Sequence, residues 1–303
     1  MGFVFVGEHA LLGRRAAIKT LRPTTPVDPE LAERFFNEAR ATSAISDPGV
    51  IQIFDFGYHV DGTAYIVMEL LEGETLSTRI GRLGRLPLRD ALRLARQIAG
   101  SLAAAHACHI IHRDLKPENV FLVRDPEAQG GERTKILDFG CCKLGTPGAA
   151  LTQSGVVIGT PVYMSPEQCH GARDVDHRSD IYAFGCLVFE MITGRPPFVG
   201  AAPGDLIVAH LFEPPPRASR YVPELPADIN AVLLRCLAKS PADRFASMTE
   251  LQETIDELCA DLEARRTAGV CAEHPLPRGR GSSAELDALA RRDGGMSGPT
   301  HPL

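Results

Sequence analysis

The stretch Ile111-His112-Arg113-Asp114-Leu115-Lys116-Pro117-Glu118-Asn119 gathers a histidine, cations, candidate acids or bases and a carboxamide within nine residues. Apolar residues flank it on both sides, at 102–105 and 120–123. A polar loop between buried segments is where a scaffold usually presents its chemistry. The spacing His-Arg-Asp-x-Lys-x-x-Asn specifies five residues, and such a pattern rarely arises by chance. It therefore indicates a catalytic loop, and a surface turn of salt-bridging charges is the alternative interpretation.

The composition is that of a globular protein with a buried core. The 303 residues, 44% hydrophobic and 23% charged, can form one large domain or two closely packed lobes. A net charge of −6 argues against a general nucleic-acid binder, whose surface would be basic. The longest apolar run, 181–189, is much shorter than the roughly 18 residues that span a bilayer. Because the N-terminus also has no signal-type pattern, we predict a cytoplasmic protein without a membrane segment.

The eight cysteines form no Cys-x-x-Cys pair, and no histidine pair completes a zinc spacing, so we expect no metal site of that kind. Cys186, Cys236 and Cys259 lie in apolar stretches and are interpreted as small buried hydrophobic residues in a reducing compartment. The vicinal pair Cys141-Cys142 is open to two interpretations, a redox role or plain packing, and packing is favoured.

The first 70 residues have the pattern of a small sheet with one helix. Asp28 is a good N-cap and Pro29 suits the first helical position, so a helix is predicted to begin there. Aromatic and β-branched residues predict strands at 3–6, 16–20, 51–56 and 64–69.

One face of that helix is predicted to carry a buried charge. Leu31, Phe35, Glu38 and Thr42 follow the helical period and share this face. A carboxylate that points inward beside large apolar residues needs a cation, because burying an unpaired charge is very costly. Lys19, at the end of a predicted strand, is the candidate partner of Glu38.

The remainder of the chain is mainly helical in pattern. A helical period covers 87–108, and two short strands are predicted around Phe121 and Ile136. From Thr267 onward Gly, Pro, Ser and Arg prevail, which predicts a disordered tail over 266–303. Further helices are predicted at 179–193, 204–212, 227–238 and 247–265.

More motifs follow the catalytic-loop stretch. Asp138-Phe139-Gly140 comes directly after a short predicted strand. The long segment from there to Glu167 has few regular signals, and a loop of this length is either disordered or a functional lid. It closes with Gly159-Thr160-Pro161-Val162-Tyr163-Met164-Ser165-Pro166-Glu167. Two later motifs are Ser179 to Gly185 and Pro241 to Phe245.

Together these motifs resemble those of bacterial Hanks-type serine/threonine protein kinases, the relatives of eukaryotic protein kinases, over roughly residues 1–262. The resemblance implies an α+β, two-lobed protein kinase-like fold, with a small N-lobe sheet carrying one helix and a mainly helical C-lobe. The kinase domain would span 1–265, with the N-lobe at 1–70 and the C-lobe at 74–265. The implied activity is transfer of the ATP γ-phosphoryl group to Ser/Thr hydroxyls of protein substrates.

The resemblance also implies a role for each chemical group of the loop. Asp114 would accept or orient the proton of the substrate hydroxyl, and Lys116 would stabilise charge on the transferred phosphoryl group. Asn119 and Asp138 would hold Mg²⁺, for which Mn²⁺ is a possible substitute. Lys116 in this context is typical of serine/threonine rather than tyrosine specificity.

Further residues are implied to bind the base of ATP. Met68 would be the gatekeeper, and Glu69 to Leu71 would form the hinge whose main chain bonds adenine. Val4 and Ala17 would cover the ring. These are the assignments that the resemblance carries onto the predicted sheet.

The phosphate-binding part of the pattern is incomplete. Lys19, paired with Glu38, would bind the α and β phosphates, and Gly2-Phe3-Val4 fits the last Gly-x-Val of the family's glycine-rich loop. The first two glycines and the preceding strand are missing. Either Met1 is an internal methionine of a longer protein, or the chain is truly short and catalysis is impaired. The first explanation is favoured because the downstream catalytic residues are intact.

The resemblance implies regulation as well. Arg113 could pair with a phosphate on the lid, because a guanidinium binds phosphate bidentately. Thr152 and Ser154 are the best acceptors for autophosphorylation, and Thr160 is a further regulatory candidate.

Two other contacts are expected to be architectural. Glu167 would form an ion pair with Arg244, and Asp180 would brace the main chain of the catalytic loop. Two alternatives to a protein kinase are a catalytically impaired, pseudokinase-like binding or scaffold module and, less favoured, a small-molecule kinase. The partners would be protein substrates rather than nucleic acid, and the oligomeric state stays open.

Overall fold

The computed structural model describes residues 2–21, 29–139, 161–171 and 175–273, with side chains described as far as residue 265. One compact unit spans Met1–Asp261, and a second comprises Leu262–Leu303. The predictions that lie outside the described residues concern Asp28, residues 140–142, Thr152, Ser154, Thr160 and residues 274–303.

The N-terminal part is a four-stranded antiparallel sheet in the order β1-β2-β4-β3. A helix, α1 (Pro29–Ser43), lies between its second and third strands in the sequence. The predicted small sheet with one helix is therefore confirmed. The strands are β1 (Phe3–Glu8), β2 (Arg15–Thr20), β3 (Ile53–Tyr58) and β4 (Ala64–Glu69).

Strand β1 ends the sheet on one side. Its neighbour is β2, and in the described part of the chain no strand pairs with its other edge. Four successive side chains, Phe3 to Val6, are each half exposed or more. Because successive residues of a strand alternate between faces, apolar groups are exposed on both faces of β1.

The N-terminal core forms where α1 packs on the sheet. Ala32, Phe35, Phe36 and Ala39 pack there with apolar residues of β2 and β4. The prediction that Leu31 belongs to the buried stripe is wrong, because 42% of this residue is exposed. The buried stripe follows the i, i+3, i+4, i+7 spacing that begins at residue 32, so the preceding residue lies at its margin.

The C-terminal part of the compact unit is mainly helical, with a second antiparallel sheet in the order β5-β6-β7. The sequence analysis missed β5 (Gly73–Thr75) and α2 (Leu76–Leu83), whose N-cap Thr75 accepts a hydrogen bond from the main chain of Thr78. The last helix was predicted to end at residue 265 but continues to Glu273. The other elements are α3 (Leu88–Ala107), β6 (Val120–Arg124), β7 (Glu132–Ile136), α4 (Pro166–Cys169), α5 (Arg178–Thr193), α6 (Pro203–Phe212), α7 (Ala227–Cys236) and α8 (Met248–Glu273).

Helix α5 is the buried centre of this part. Every residue from Ser179 to Ile192 is buried except Glu190. A helix that is apolar on all sides is a core helix when it is this short. Among the described residues no helix is both long and apolar enough to cross a membrane.

The cysteine predictions are confirmed at two of three positions. Cys186 and Cys236 are fully buried, and burial raises the pKa of both thiols. Cys259 is only partly buried, which corrects its interpretation as a core residue. It lies on α8, which presents one side to solvent.

Arg244 and Glu167 form the predicted ion pair. The guanidinium Nη1 and Nη2 lie 2.7 and 2.8 Å from the two carboxylate oxygens, a bidentate arrangement. The arginine side chain is fully buried and also donates to the main-chain carbonyls of Arg178, Ala238 and Lys239. This pair fixes α4 against the start of α5 and the segment after α7.

His210 is a buried titratable group on α6. Its Nδ1 lies 2.8 Å from the hydroxyl oxygen of Tyr182 on α5, and its ring contacts that of Phe198. Burial, aided by the nearby charge of Lys239, lowers the pKa of His210 to about 4 from its usual 6.5. The folded protein therefore binds this proton less readily than the unfolded chain does, and stability is lost as the pH falls below about 6.5.

We expect the variant His210→Gln to have a shallower acid limb in its stability profile. Glutamine can still bond to the Tyr182 hydroxyl but does not titrate. Between pH 6.5 and pH 4 the unfolding free energy of the parent should fall by up to about 3 kcal/mol more than that of the variant. Urea unfolding at a series of pH values measures this, and parallel profiles would contradict it.

Candidate active site

The catalytic-loop stretch is held by one buried carboxylate at the start of α5. Asp180 Oδ2 accepts a hydrogen bond from the main-chain N–H of His112 at 2.8 Å, and Oδ1 accepts one from that of Arg113 at 2.8 Å. The Nε2 atom of His106 lies 2.8 Å from Oδ2. Burial alone would raise the pKa of Asp180, but the hydrogen bonds to it prevail and the pKa is lowered. The predicted bracing role of Asp180 is confirmed.

His112 links this loop to the end of β7. Its Nδ1 accepts a hydrogen bond from the main-chain N–H of Asp114 at 3.2 Å, so Nε2 carries the proton and donates to the carbonyl of Leu137 at 3.0 Å. The side chain is completely buried, and burial lowers its pKa. Its ring centroid lies 4.8 Å from that of Phe139. A neutral histidine therefore joins the loop to the segment that carries Asp138.

Three predicted catalytic side chains are gathered in this loop. The Nζ of Lys116 lies 3.1 Å from Asp114 Oδ2. The side-chain Nδ2 of Asn119 donates to the main-chain carbonyl of Asp114 at 2.8 Å and lies 3.2 Å from its carboxylate. The carboxylate is therefore oriented by a cation and an amide on the same loop, with the cation only partly exposed.

The main chain of the site is strained at two places. Arg113 has φ 65° and Asp138 has φ 49°, a region that non-glycine residues rarely adopt. Such conformations persist only where the surroundings enforce them, and they concentrate at functional sites. Here Asp180 and His112 supply those surroundings.

Lys19 joins the two parts of the compact unit. Its Nζ lies 3.1 Å from Glu38 Oε1 on α1, as predicted, and 2.6 Å from Asp138 Oδ1 beyond β7. Burial alone would lower the pKa of this lysine, but the two carboxylates outweigh it and raise the pKa. The ammonium group is therefore held charged between α1 and the segment that follows β7.

Asn119 and Asp138 have the donor atoms that suit a hard divalent cation. The side-chain oxygen of Asn119 accepts no hydrogen bond from the described residues, and about half of the Asp138 side chain is exposed. Carboxylate and amide oxygens are the ligands that Mg²⁺ prefers, and this ion usually keeps further ligands from water and phosphate. Among the described residues no cluster of three or more His, Cys, Asp or Glu side chains could hold a metal by itself. An ion at this site would depend on a bound phosphate for its remaining ligands.

The residues predicted to cover a base share one face of the N-terminal sheet. Val4 lies opposite Lys19, and Ala17 lies opposite Met68, and directly opposite residues of antiparallel strands point to the same face. Val6 lies opposite Ala17 on this same face, although the sequence analysis did not single it out. The hairpin turn at residues 9–14 sets this register.

Gly2 lies against the end of β2. A Cβ added there would come within 1.6 Å of the Thr20 carbonyl oxygen, so only glycine fits. The predicted contact of Gly2 with a phosphate stays a prediction.

The predicted hinge has unused main-chain groups. The main-chain N–H of Glu69 donates to the carbonyl of Gln52 at 2.9 Å. The main-chain groups of Leu70 and Leu71 form no hydrogen bond with the described residues. They are free to bond the polar edge of a bound base.

The regulatory role of Arg113 stays a prediction, because the segment that would carry the phosphate lies outside the described residues. Its main-chain carbonyl accepts a hydrogen bond from Gln168 Nε2 at 2.9 Å. Its guanidinium Nε is buried and finds no hydrogen-bond partner among the described residues. A buried donor without a partner is costly, so this atom is suited to binding an anion.

Comparisons with known proteins agree with this geometry. Residues 1–255 match the family model of the protein kinase domain. The chain is 40% identical over 273 residues to the serine/threonine-protein kinase Pkn1 of Myxococcus xanthus, covering 88% of this chain and 38% of that protein. It is 35% identical over 316 residues to the serine/threonine-protein kinase PknA of Mycobacterium tuberculosis, covering 100% of this chain and 71% of that protein. The chain thus spans about two-fifths of the Myxococcus relative's length.

A solved structure has the same fold. The crystal structure of the Mycobacterium tuberculosis PknI kinase domain superposes with a TM-score of 0.64 at 29% sequence identity. The match covers 85% of this chain and 91% of that one. The two-lobed α+β fold predicted from the sequence is thereby confirmed.

We expect Asp180→Asn to loosen the loop and to lower the unfolding free energy by about 2 to 4 kcal/mol. An amide presents one acceptor oxygen to three N–H groups and leaves a buried donor unpaired. Denaturant unfolding gives the global loss, and hydrogen exchange at the Arg113 amide should become faster. The matched control is Asp176→Asn, an exposed carboxylate just before α5 that accepts a hydrogen bond from the Arg178 main chain. If the two variants are equally stable, the bracing role is wrong.

Proposed function

The chain belongs to the protein kinase family, and from this membership we propose that it transfers the γ-phosphoryl group of ATP to serine or threonine hydroxyls of proteins. The curated relatives named above are serine/threonine-protein kinases. One observation carries the proposal. Lys19 bonds both Glu38 and Asp138, while Asp114, Lys116 and Asn119 bond one another in the adjoining loop.

Asp114 would position the attacking hydroxyl. Its carboxylate is fixed by Lys116 and Asn119, so it can accept a hydrogen bond from a serine or threonine without reorganising. Lys116 would neutralise charge on the transferred group. Phosphoryl transfer depends mainly on positioning of the reacting groups and on electrostatic stabilisation, and these side chains supply both.

Members of this family use ATP with a divalent cation, and we propose Mg²⁺ here, with Mn²⁺ as a possible substitute. Asn119 and Asp138 would hold the ion, which neutralises the phosphates when bound. Lys19 would bind the α and β phosphates and would be kept in place by Glu38. The free main-chain groups of the hinge would bond adenine.

The binding or scaffold alternative is less well supported. A module that has lost transfer is expected to have lost catalytic or metal-binding side chains. Here each of those side chains is present, and the described contacts join them. The nearly buried Lys19–Glu38 pair would also be costly to keep without a use for the charge.

We expect purified protein to incorporate phosphate from ATP and magnesium into itself and into a general protein substrate. Asp114→Asn should lower the rate at least about 10²-fold, because the hydroxyl loses its acceptor. The matched control is Asp256→Asn, an exposed carboxylate on α8, which should retain the parent rate. Binding of ATP without any transfer by the parent protein would favour the scaffold alternative.

We further propose that phosphorylation of the segment before α4 regulates this activity. The support is the buried Nε of Arg113, which precedes Asp114 and finds no partner among the described residues. A phosphate on Thr152, Ser154 or Thr160 would give this guanidinium a bidentate partner. This ion pair would hold the phosphorylated segment in one position next to Arg113.

After incubation with ATP and magnesium, we expect mass spectrometry to find phosphate on Thr152, Ser154 or Thr160. Asp114→Asn serves as the control and should carry none, because the reaction is the protein's own. Preincubation with ATP and magnesium should raise the rate at which the parent phosphorylates a protein substrate. It should not raise the rate of Arg113→Met, which cannot pair with the phosphate. Phosphate confined to residues 274–303 would overturn the regulatory proposal.

A further inference from the structure

Lys135 forms an ion pair that the catalytic scheme does not use. Its Nζ lies 2.6 Å from Oε1 of Glu69, and the two side chains are only 14% and 21% exposed. The same oxygen of Glu69 accepts a hydrogen bond from the main-chain N–H of Gln52 at 2.7 Å. A pair this short and this protected from water is stronger than an ordinary surface ion pair.

The pair connects three separate parts of the chain. Lys135 is on β7, Glu69 is the last residue of β4, and the Lys135 ammonium also lies 3.5 Å from the carbonyl of Val50 in the segment before β3. Next to this contact, the N–H of Ile136 donates to the carbonyl of Gly49 at 2.7 Å. The lysine therefore crosses from the second sheet to the first.

Each residue of the ion pair is close in the sequence to a part of the proposed nucleotide site. Glu69 directly precedes Leu70 and Leu71, whose main-chain groups bond no other residue in the part of the chain that the structure describes. Lys135 precedes Asp138 by three residues, and Asp138 bonds Lys19 on the phosphate side. The ion pair thus joins the residue before the predicted base-binding segment to the strand that leads to Asp138.

We propose that Lys135 is a positioning residue for the nucleotide, which holds the Glu69 carboxylate so that the hinge main chain faces the adenine ring. The inference rests on the proposed function in that the bound base is adenine. A carboxylate that loses its cation in this mostly buried place would turn toward solvent, because an unpaired charge is costly there. The main chain after Glu69 would then be held less firmly. The hydrogen bond from the Gln52 N–H to the Glu69 carboxylate would be weakened as well.

The test measures binding of the two halves of ATP separately. Adenosine and magnesium tripolyphosphate each displace a fluorescent ADP analogue from the full chain, so no phosphoryl transfer is needed. The variants are Lys135→Met, Lys135→Arg, Glu69→Gln and the double variant with Lys135→Met and Glu69→Gln. The matched control is Arg133→Met, which removes the next cation on the same face of β7 and its ion pair with Asp125.

Lys135→Met should weaken adenosine binding about 3- to 30-fold and leave the affinity for magnesium tripolyphosphate unchanged. Lys135→Arg keeps the cation and should recover adenosine affinity to within about threefold of the parent. The double variant should bind adenosine no more weakly than Lys135→Met alone, because both changes break the same contact. In kinetic assays of Lys135→Met, the KM for ATP should rise while kcat stays the same as in the parent.

Other outcomes would overturn the proposal. Equal weakening of both ligands, or equal weakening by Arg133→Met, would mean that the ion pair only stabilises the fold. An unaltered adenosine affinity in Lys135→Met would exclude a positioning role. A parent protein that binds adenosine but never transfers phosphate would refute the proposed function alone, whereas one that binds no adenosine would refute both.

Discussion

The active site depends on one buried carboxylate. Asp180 accepts hydrogen bonds from two successive main-chain N–H groups of the catalytic loop and from a histidine at the end of α3. Because α5 is buried on nearly all sides, this carboxylate cannot move without disturbing the core. The loop can therefore hold an unfavourable backbone conformation at Arg113. The buried helix α5 thereby holds in place the loop whose side chains catalysis would require to be accurately positioned.

Two ion pairs connect the two parts of the compact unit. Lys19 on β2 reaches Asp138, and Lys135 on β7 reaches Glu69 at the end of β4. Apolar packing depends little on direction, whereas ion pairs and hydrogen bonds require a defined geometry. The two ion pairs therefore fix the placement of the first sheet relative to the second more specifically than apolar contacts alone would.

Much of this arrangement could be predicted from the sequence, because it follows from local patterns. The helical period placed Glu38 on a buried face, and the need for a cation identified Lys19 as its partner. The pairing of Lys135 with Glu69 could not be predicted in this way, because neither residue lies in a pattern that shows its burial and they are 66 residues apart. The short strand β5 and the exposure of Leu31 were also missed, because tertiary packing rather than local propensity decides them. The position of Val6 opposite Ala17 was missed as well. It depends on the register of β1 and β2, which is set by the position of the hairpin turn.

Strand β1 also affects how the protein behaves in solution. The stretch Phe3-Val4-Phe5-Val6 is exposed on both faces, carries no charge and contains no proline. Segments with this composition form intermolecular sheets readily when they lie at the end of a sheet. In the part of the chain that the structure describes, the free edge of β1 is therefore the place where a strand of another molecule could add to the sheet. A charged residue introduced on β1 would oppose such addition, because it could not be buried between two sheets without a partner.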